Sequence, residues 1–227
     1  MEQIKKTIDF LFTYKFILLL LTLIAQIFIP VYFANSIIYS VLSYVFITIT
    51  LVVSILIFKN IRMHKLYIVF VVLVLLIILL NWVDYFGNVG AIVRIPRLLF
   101  VGGMYVTVFV NIFKEFGNRK EVDIDFIFGA ISAYLLLGLI SSFSSVIIEF
   151  YFPGSFSFAV SPIDFQDHIY FNFVTLTTLG YGDISPITPQ GQMHAVAVAL
   201  VGQLYLTITI ALIVGRYLSN VRNSKKQ

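Results

Sequence analysis

The residue types and spacing that most clearly indicate a chemical function lie in a heptapeptide in the second half of the chain, Thr177–Asp183. Its sequence is Thr-Thr-Leu-Gly-Tyr-Gly-Asp, so Gly180 and Gly182 stand at every second position. A run of carbonyls that all point to one side needs backbone dihedral angles of alternating hand, and glycine adopts the left-handed region at little cost. Consecutive carbonyls of this kind replace the water shell of a dehydrated cation. The pattern therefore predicts a cation site made of backbone.

Four backbone carbonyls would form this site, with the Thr178 hydroxyl below them. The side chains of Leu179 and Tyr181 are then expected to point away from the ion and to wedge against the helix behind. A glycine-containing surface turn is the alternative interpretation, but apolar runs at 169–176 and 195–214 flank the heptapeptide. The predicted carbonyl donors are those of Thr178, Leu179, Gly180 and Tyr181, and Gly182 completes the segment.

The heptapeptide resembles the potassium-channel signature T-x-G-Y-G-D, with Leu179 at a position where valine or isoleucine is commoner. The resemblance extends from about residue 165 to residue 219 and includes Pro189, Gly191 and Gly202. It implies an ion-selectivity filter to which each chain supplies one strand. A closed ring needs four strands, so the expected assembly is a homotetramer that conducts potassium passively.

The resemblance also implies roles for residues outside the carbonyl-bearing segment. Thr177 and Asp183 would support the two ends of the filter, and Asp183 would pair with groups on the preceding helix. Glu149 would anchor the pore loop, a solvated helix end being the alternative. No metal ion other than potassium is expected, because His168 and His194 flank the filter without a further ligand at metal spacing.

The apolar segment after the filter is expected to line the inner pore. Gly202 follows Gly182 at the spacing of the gating-hinge glycine in related prokaryotic channels, and glycine weakens a helix locally. The alternative for Gly202 is close packing against the pore helix. Further apolar residues share one helix face and could form a ring that gates by dewetting, although each could also belong to a core stripe. These residues are Leu206, Ile210 and Ile213 or Val214.

The composition indicates a polytopic membrane protein, since 60% of the 227 residues are hydrophobic and 11% are charged. A spanning helix needs ~20 mostly apolar residues. The shorter stretch 165–177 predicts a re-entrant pore helix that starts near Asp164 or near Ser161-Pro162. The expected fold is an all-α integral membrane protein with six transmembrane helices, one re-entrant pore helix and a selectivity filter. The predicted spans are 16–34, 37–58, 66–86, 92–113, 126–150 and 192–217.

The longest charged run, 114–125, marks the predicted boundary between two domains. Residues 1–113 are expected to form a four-helix, sensor-like transmembrane domain, and 114–123 a cytoplasmic linker. Residues 124–227 would form the pore domain, which comprises an outer helix, the pore helix, the filter and an inner helix. No cytoplasmic ligand-binding domain is expected in this chain.

The fourth predicted helix carries Arg94 and Arg97, a weak resemblance to the arginine-rich helix of voltage sensors. In that family arginine repeats at every third residue for several turns. Here Phe100, Gly103 and Val106 stand where further arginines would follow. Voltage dependence is therefore expected to be weak or absent.

Basic residues predict the orientation. Apart from Arg94 and Arg97, every Lys and Arg lies in a terminus or in the loops after the second and fourth predicted helices. Both termini are therefore expected in the cytoplasm, with the filter opening to the outside. The expected location is the plasma membrane of a bacterium, crossed several times.

Several function classes find no support in the sequence. The motifs H-E-x-x-H and G-x-S-x-G and a phosphate-binding loop are all missing, so no enzyme and no cofactor beyond the permeant K⁺ are expected. The expected partners are membrane lipid and further copies of the chain, and no nucleic acid. Two alternatives to a potassium channel remain open. One is a non-selective cation channel of the same fold, against which Tyr181 argues. The other is a potassium transporter or a non-conducting membrane subunit, against which the single intact filter argues.

Overall fold

The computed structural model describes residues 13–33, 36–57, 67–69, 71–72, 90–119, 122–158 and 164–224. These residues are mostly helical and include one short two-stranded sheet. The chain divides into two compact units. The first unit comprises Met1–Glu115 and Ile124–Ala133, and the second comprises Phe116–Asp123 and Tyr134–Gln227.

The helices of the first unit follow the predicted apolar spans. The spans at 16–34, 37–58 and 92–113 are each occupied by a helix, while most of 66–86 lies outside the described residues. Its described residues, 67–69 and 71–72, are helical. The elements are α1 (Lys15–Phe28), a 3₁₀ turn (Pro30–Tyr32), α2 (Ser36–Ser54), a second 3₁₀ turn (Ile55–Ile57), α3 (Gly90–Asn118) and the first part of α4 (Ile124–Tyr151).

Helix α3 continues to Asn118, through the first half of the segment predicted as a linker. Its last turns contain Glu115, whose carboxylate accepts two hydrogen bonds from the Lys15 ammonium at 2.7 and 2.6 Å. Both residues are buried, at 3% and 5% exposure. A buried charge needs a partner, so this ion pair stabilises the helical conformation at a position where the charge pattern alone indicated a loop.

The first unit has an apolar core with a few polar pairs inside it. Phe16, Leu19 and Leu51 are fully buried. Tyr105, also fully buried, donates its hydroxyl to the Gln26 side-chain oxygen at 2.7 Å. This hydrogen bond offsets the cost of removing both polar groups from water.

The second unit contains the rest of α4, strand β1 (Phe156–Ser157), helix α5 (Phe165–Leu176), strand β2 (Ser185–Pro186) and helix α6 (Pro189–Ser224). The strands are antiparallel and pair Phe156 with Pro186 and Ser157 with Ser185. Helix α6 starts with Pro189 at its first position, where the missing amide hydrogen costs nothing. Helices α4, α5 and α6 therefore match the predicted outer, pore and inner helices in position along the chain.

Among the described residues, four helical segments are long and apolar enough to cross a membrane: Lys15–Tyr32, Leu98–Asn118, Ile124–Tyr151 and Pro189–Arg216. A shorter apolar helical segment spans Val41–Ile57. The prediction of a helical membrane protein is thus confirmed in its class. The count of six spans stays a prediction, because the third predicted span lies largely outside the described residues.

Candidate ion-selectivity filter and pore helix

Helix α5, which occupies the position predicted for the pore helix, begins with a capping box. The Asp164 side chain accepts from the backbone amide of Asp167, and the Asp167 carboxylate accepts from the Asp164 amide at 2.9 Å. These bonds satisfy amides that have no partner within the helix. The predicted start near Asp164 is confirmed, while the rival start at Ser161-Pro162 lies outside the described residues.

The chain folds back on α5 directly after its last turn. The Thr178 amide donates to the Thr175 carbonyl at 3.0 Å. The amides of Leu179 and Gly180 both face the Val174 carbonyl, at 3.0 and 3.4 Å. The amides of the carbonyl-bearing segment are thereby bonded to the C-terminal end of α5, where helix carbonyls lack partners. The position of this segment consequently depends on the position of α5.

The backbone of the filter segment alternates in hand. The φ angle is positive at Thr178 (61°), Gly180 (59°) and Gly182 (79°), that is, at every second residue. Glycine adopts this region freely, but a β-branched residue there is an outlier. Thr178 is the one described non-glycine residue with a positive φ. The alternation is the conformation predicted for carbonyls that point to one side, and ion binding itself stays a prediction.

The side chains of the filter segment are exposed in the single chain. Leu179 is 59% exposed and Tyr181 is 67% exposed. The predicted wedge of these two side chains against the helix behind them is therefore absent within one chain. Whether a helix of another chain covers them stays a prediction.

Asp183 closes the C-terminal end of the segment. Its carboxylate accepts from the Tyr170 hydroxyl on α5 at 2.6 Å and from the Ile184 amide at 3.0 Å. The Tyr170 hydroxyl, and less so the backbone amides, holds the pKa of Asp183 below its usual value. The same bond raises the pKa of Tyr170 to about 12. Asp183 is thus tied to the pore helix as an ionised carboxylate.

Glu149 holds the turn that follows α4. Its two carboxylate oxygens accept from the backbone amides of Gly154 at 2.7 Å and Phe156 at 3.3 Å. Gly154 has a φ of 79°, which favours glycine at this turn. Phe156 begins strand β1, so the carboxylate lies where the outer turn joins the sheet.

Gly202 lies against the end of the pore helix. A Cβ at this position would collide with the Leu176 carbonyl oxygen and would lie 2.9 Å from Leu176 Cδ1. Close packing, the alternative to a hinge, therefore explains a glycine at this position. Helix α6 is continuous through Gly202. The hinge role stays a prediction. Among the predicted inner-pore residues, Leu206, Ile210 and Val214 are exposed in the single chain, and Ile213 is partly exposed.

Sequence reasoning missed several contacts of the second unit. The Tyr134 hydroxyl donates to the Leu176 carbonyl at 3.3 Å. The Arg216 guanidinium near the end of α6 donates to the carbonyls of Phe116 and Arg119 at 2.8 and 2.9 Å. A polar cluster also joins α4, α5 and α6. The sequence signal for this cluster is the presence of polar residues inside apolar runs. The cluster consists of Ser145, His168, Asn172 and His194.

The comparisons concern the same part of the chain. A protein-family model described as "Ion channel" matches residues 130–219. The chain is 34% identical over 82 residues to two pore potassium channel c of Oryza sativa, which covers 35% of this chain and 16% of that protein. It is 37% identical over 84 residues to a voltage-gated potassium channel of Aeropyrum pernix, which covers 37% of this chain and 26% of that protein.

A third relative, potassium channel K1 of Plasmodium berghei, is 36% identical over 58 residues, 26% of this chain and 3% of that protein. The chain thus spans about a quarter or less of the length of these curated relatives. No solved structure matches. The family match agrees with the channel expected from the sequence of this region. Residues 130–219, with their capped pore helix and alternating backbone, are accordingly similar to ion channels, and the named relatives are potassium channels.

Proposed function

We propose that the protein is a potassium-selective channel that conducts K⁺ passively and needs no cofactor. The observation that carries the proposal is the alternation of positive φ at Thr178, Gly180 and Gly182 directly after the pore helix. Such a backbone presents consecutive carbonyl oxygens to one side, and these oxygens replace the hydration shell of the ion. The names of the three similar proteins agree with potassium as the ion.

The proposed assembly is a homotetramer in membrane lipid. One chain supplies one filter strand, and a closed ring of carbonyls needs several. The exposed side chains of Leu179 and Tyr181 support this proposal, because a neighbouring copy would cover them. Helix α6 supports it as well. In an apolar stretch of 18 residues within Pro189–Arg216, 17% is buried inside the chain, whereas 44% of Lys15–Tyr32 is buried. An inner helix that lines a pore and contacts neighbours would show this difference.

The proposed orientation places both termini in the cytoplasm and the filter toward the outside of the plasma membrane. The distribution of basic residues supports it. The chain has no cysteine, so single-cysteine variants can be labelled without background. Gln190→Cys should react with an impermeant thiol reagent added outside intact cells, and Asn118→Cys only after permeabilisation. The reverse pattern of labelling would overturn the orientation.

Reversal potentials test the function directly. The purified chain, reconstituted in planar bilayers with a potassium gradient opposed by sodium, should give unitary currents that reverse near the potassium equilibrium potential. Tyr181→Asp should keep some conduction but admit sodium, because the aromatic support beside the filter is lost. A reversal potential near zero for the unaltered chain would indicate a non-selective cation channel. Absence of unitary currents would indicate a transporter or a non-conducting subunit.

A further inference from the structure

Asn172 lies in the middle of pore helix α5 and is completely buried. Its side-chain nitrogen donates to the Ser145 hydroxyl on α4 at 2.8 Å and to the His168 carbonyl of its own helix at 2.8 Å. Its side-chain oxygen lies 2.9 Å from His194 Nε2 on α6. One amide group therefore bonds the pore helix to both the outer and the inner helix.

The donors and acceptors of this cluster can be assigned by counting hydrogens. The Asn172 side-chain oxygen can only accept, so His194 Nε2 carries the hydrogen of their bond. Ser145 has one hydroxyl hydrogen, which it donates to the Ser142 carbonyl at 2.9 Å. The Ser145 oxygen then accepts from Asn172 and from His168 Nδ1, which lies at 3.0 Å. Both amide hydrogens and the amide oxygen of Asn172 are thus used.

Two kinds of contact hold the C-terminal half of α5. One is close packing: a Cβ at Gly138 would collide with the Phe173 ring, lying 2.7 Å from its Cε1 and Cε2 atoms, and Gly202 lies against Leu176. Close packing limits how near the helices can approach. Directional hydrogen bonds also fix rotation about the helix axis and position along it, because they weaken steeply when they are misaligned. Asn172 supplies that constraint toward both neighbouring helices.

We propose that Asn172 is a positioning residue for ion selection and acts through Ser145 and His194. This inference rests on the proposed function and deepens it. The physical link is short, because Asn172 is two residues from Val174, whose carbonyl faces the amides of Leu179 and Gly180. A rotation or a shift of α5 therefore moves the carbonyl-bearing segment. Selectivity depends on the arrangement of those carbonyls.

Paired substitutions on the two partner helices test the proposal. Ser145→Ala and His194→Leu each remove one bond to Asn172 and leave a buried amide group without its partner. His194→Gln keeps an N–H donor and should restore the contact. Ser142→Ala is the matched control, since Ser142 is as buried as Ser145 and lies one turn away on α4. Its hydroxyl donates to the Gly138 carbonyl of the same helix at 2.7 Å.

The readout is the sodium-to-potassium permeability ratio from reversal potentials in bilayers. Ser145→Ala and His194→Leu should raise this ratio roughly tenfold, the size expected when a buried polar group loses its partner. His194→Gln and Ser142→Ala should keep the ratio of the unaltered chain. Asn172→Leu should raise it at least as much as either single partner variant. Size-exclusion profiles select variants that assemble like the unaltered chain, and thermal unfolding is recorded in parallel.

Each result has one interpretation. A raised ratio in Ser145→Ala and His194→Leu, with an unchanged ratio in the two controls, supports the positioning role. Lower melting temperatures with unchanged ratios would reduce Asn172 to a structural residue and overturn the proposal, while the potassium channel function would stand. An unaltered chain that passes sodium as well as potassium would overturn the proposed function, and the positioning role with it.

Discussion

The charged side chains of the two units have different partners. In the first unit the buried Lys15 and Glu115 pair with each other, and Tyr105 likewise donates to the Gln26 side chain. In the second unit many polar side chains bind the main chain. Glu149 accepts from two backbone amides, and Arg216 donates to two backbone carbonyls.

The difference follows from backbone regularity. A continuous helix satisfies its own amides and carbonyls, so a charged side chain buried between helices needs another side chain as its partner. The second unit contains an outer turn, a filter segment and a helix end whose backbone groups have no regular partners. In an apolar surrounding these groups must be satisfied by the protein. Glu149 and Arg216 of the second unit are therefore tied to the shape of the backbone, whereas the pair of Lys15 with Glu115 in the first unit joins two helices.

The largest effect, on potassium current, is expected from a substitution that disturbs the backbone of the second unit. Gly180→Ala should abolish potassium current. Nothing lies within 4 Å of the added Cβ, but a residue with a Cβ disfavours the left-handed backbone, φ of 59°, that Gly180 adopts. Gly103→Ala on α3 of the first unit is the control, since its Cβ also meets nothing within 4 Å and alanine favours a helix. The potassium currents of both variants are measured in planar bilayers. Normal conduction by Gly180→Ala would refute the filter assignment.

The next effect should fall on stability in the first unit. Glu115→Gln removes the carboxylate that accepts two hydrogen bonds from the buried Lys15 ammonium, and breaking a buried ion pair costs ~3–5 kcal/mol. Thermal unfolding should shift to lower temperature, while channels that assemble keep their permeability ratio. The double variant Lys15→Met with Glu115→Leu should recover most of the loss, because both charges of the pair are then replaced by apolar groups. A changed permeability ratio in Glu115→Gln would contradict the separation between the two units.

A smaller effect concerns pH at the outer end of the filter. The pKa of Asp183 is lowered from 3.8, mainly by the Tyr170 hydroxyl. Its stabilising contribution is therefore present above pH 3.8 and is lost as pH falls through the lower pKa of the folded state. Tyr170→Phe should move the acid loss of potassium conductance to higher pH, whereas the exposed Tyr151→Phe should not. Equal acid midpoints would show that the Tyr170 bond does not act on Asp183.

The smallest effect is expected from the arginines of α3. Moving one charge across the membrane is worth ~2.3 kcal/mol per 100 mV, and steep gating uses roughly 3–4 charges per subunit. Only Arg94 and Arg97 stand in the relevant part of the sequence, and no Asp or Glu lies between Asp9 and Asp84 to pair with them. Arg94→Gln with Arg97→Gln should barely alter the conductance–voltage slope. A steep curve that flattens in this double variant would establish a working sensor.

Local patterns predicted the local features of the second unit well. Asp164 was identifiable as a cap because a polar residue precedes an apolar run. The spacing of Gly180 and Gly182 predicted the alternating backbone because glycine tolerates positive φ. Thr178 shares that conformation without a sequence signal, since threonine disfavours it. The hydrogen bonds to the end of α5 impose the conformation there.

Contacts between distant residues were not predictable in the same way. Lys15 and Glu115 lie 100 positions apart, and the charges around Glu115 indicated a linker until the ion pair was known. The spacing of Gly202 predicts a hinge but carries no information about which carbonyl lies opposite, so its packing against Leu176 is visible only in the fold. Asn172 and His194 looked unremarkable singly, and only the packing of three helices brings them within hydrogen-bond distance.

The short sheet has a consequence for the order of folding. Ser157 and Ser185, paired across the two strands, are 28 positions apart, so α5 and the filter lie within one loop closed by the ladder. Closing a flexible loop of that length costs about 3 kcal/mol of chain entropy. Pairing between two-residue strands offsets little of this cost. We therefore expect the sheet to form after α5 has docked, when most of the loop is already ordered. Deuterium should accordingly reach the Ser185 amide sooner than the amides in the middle of α5.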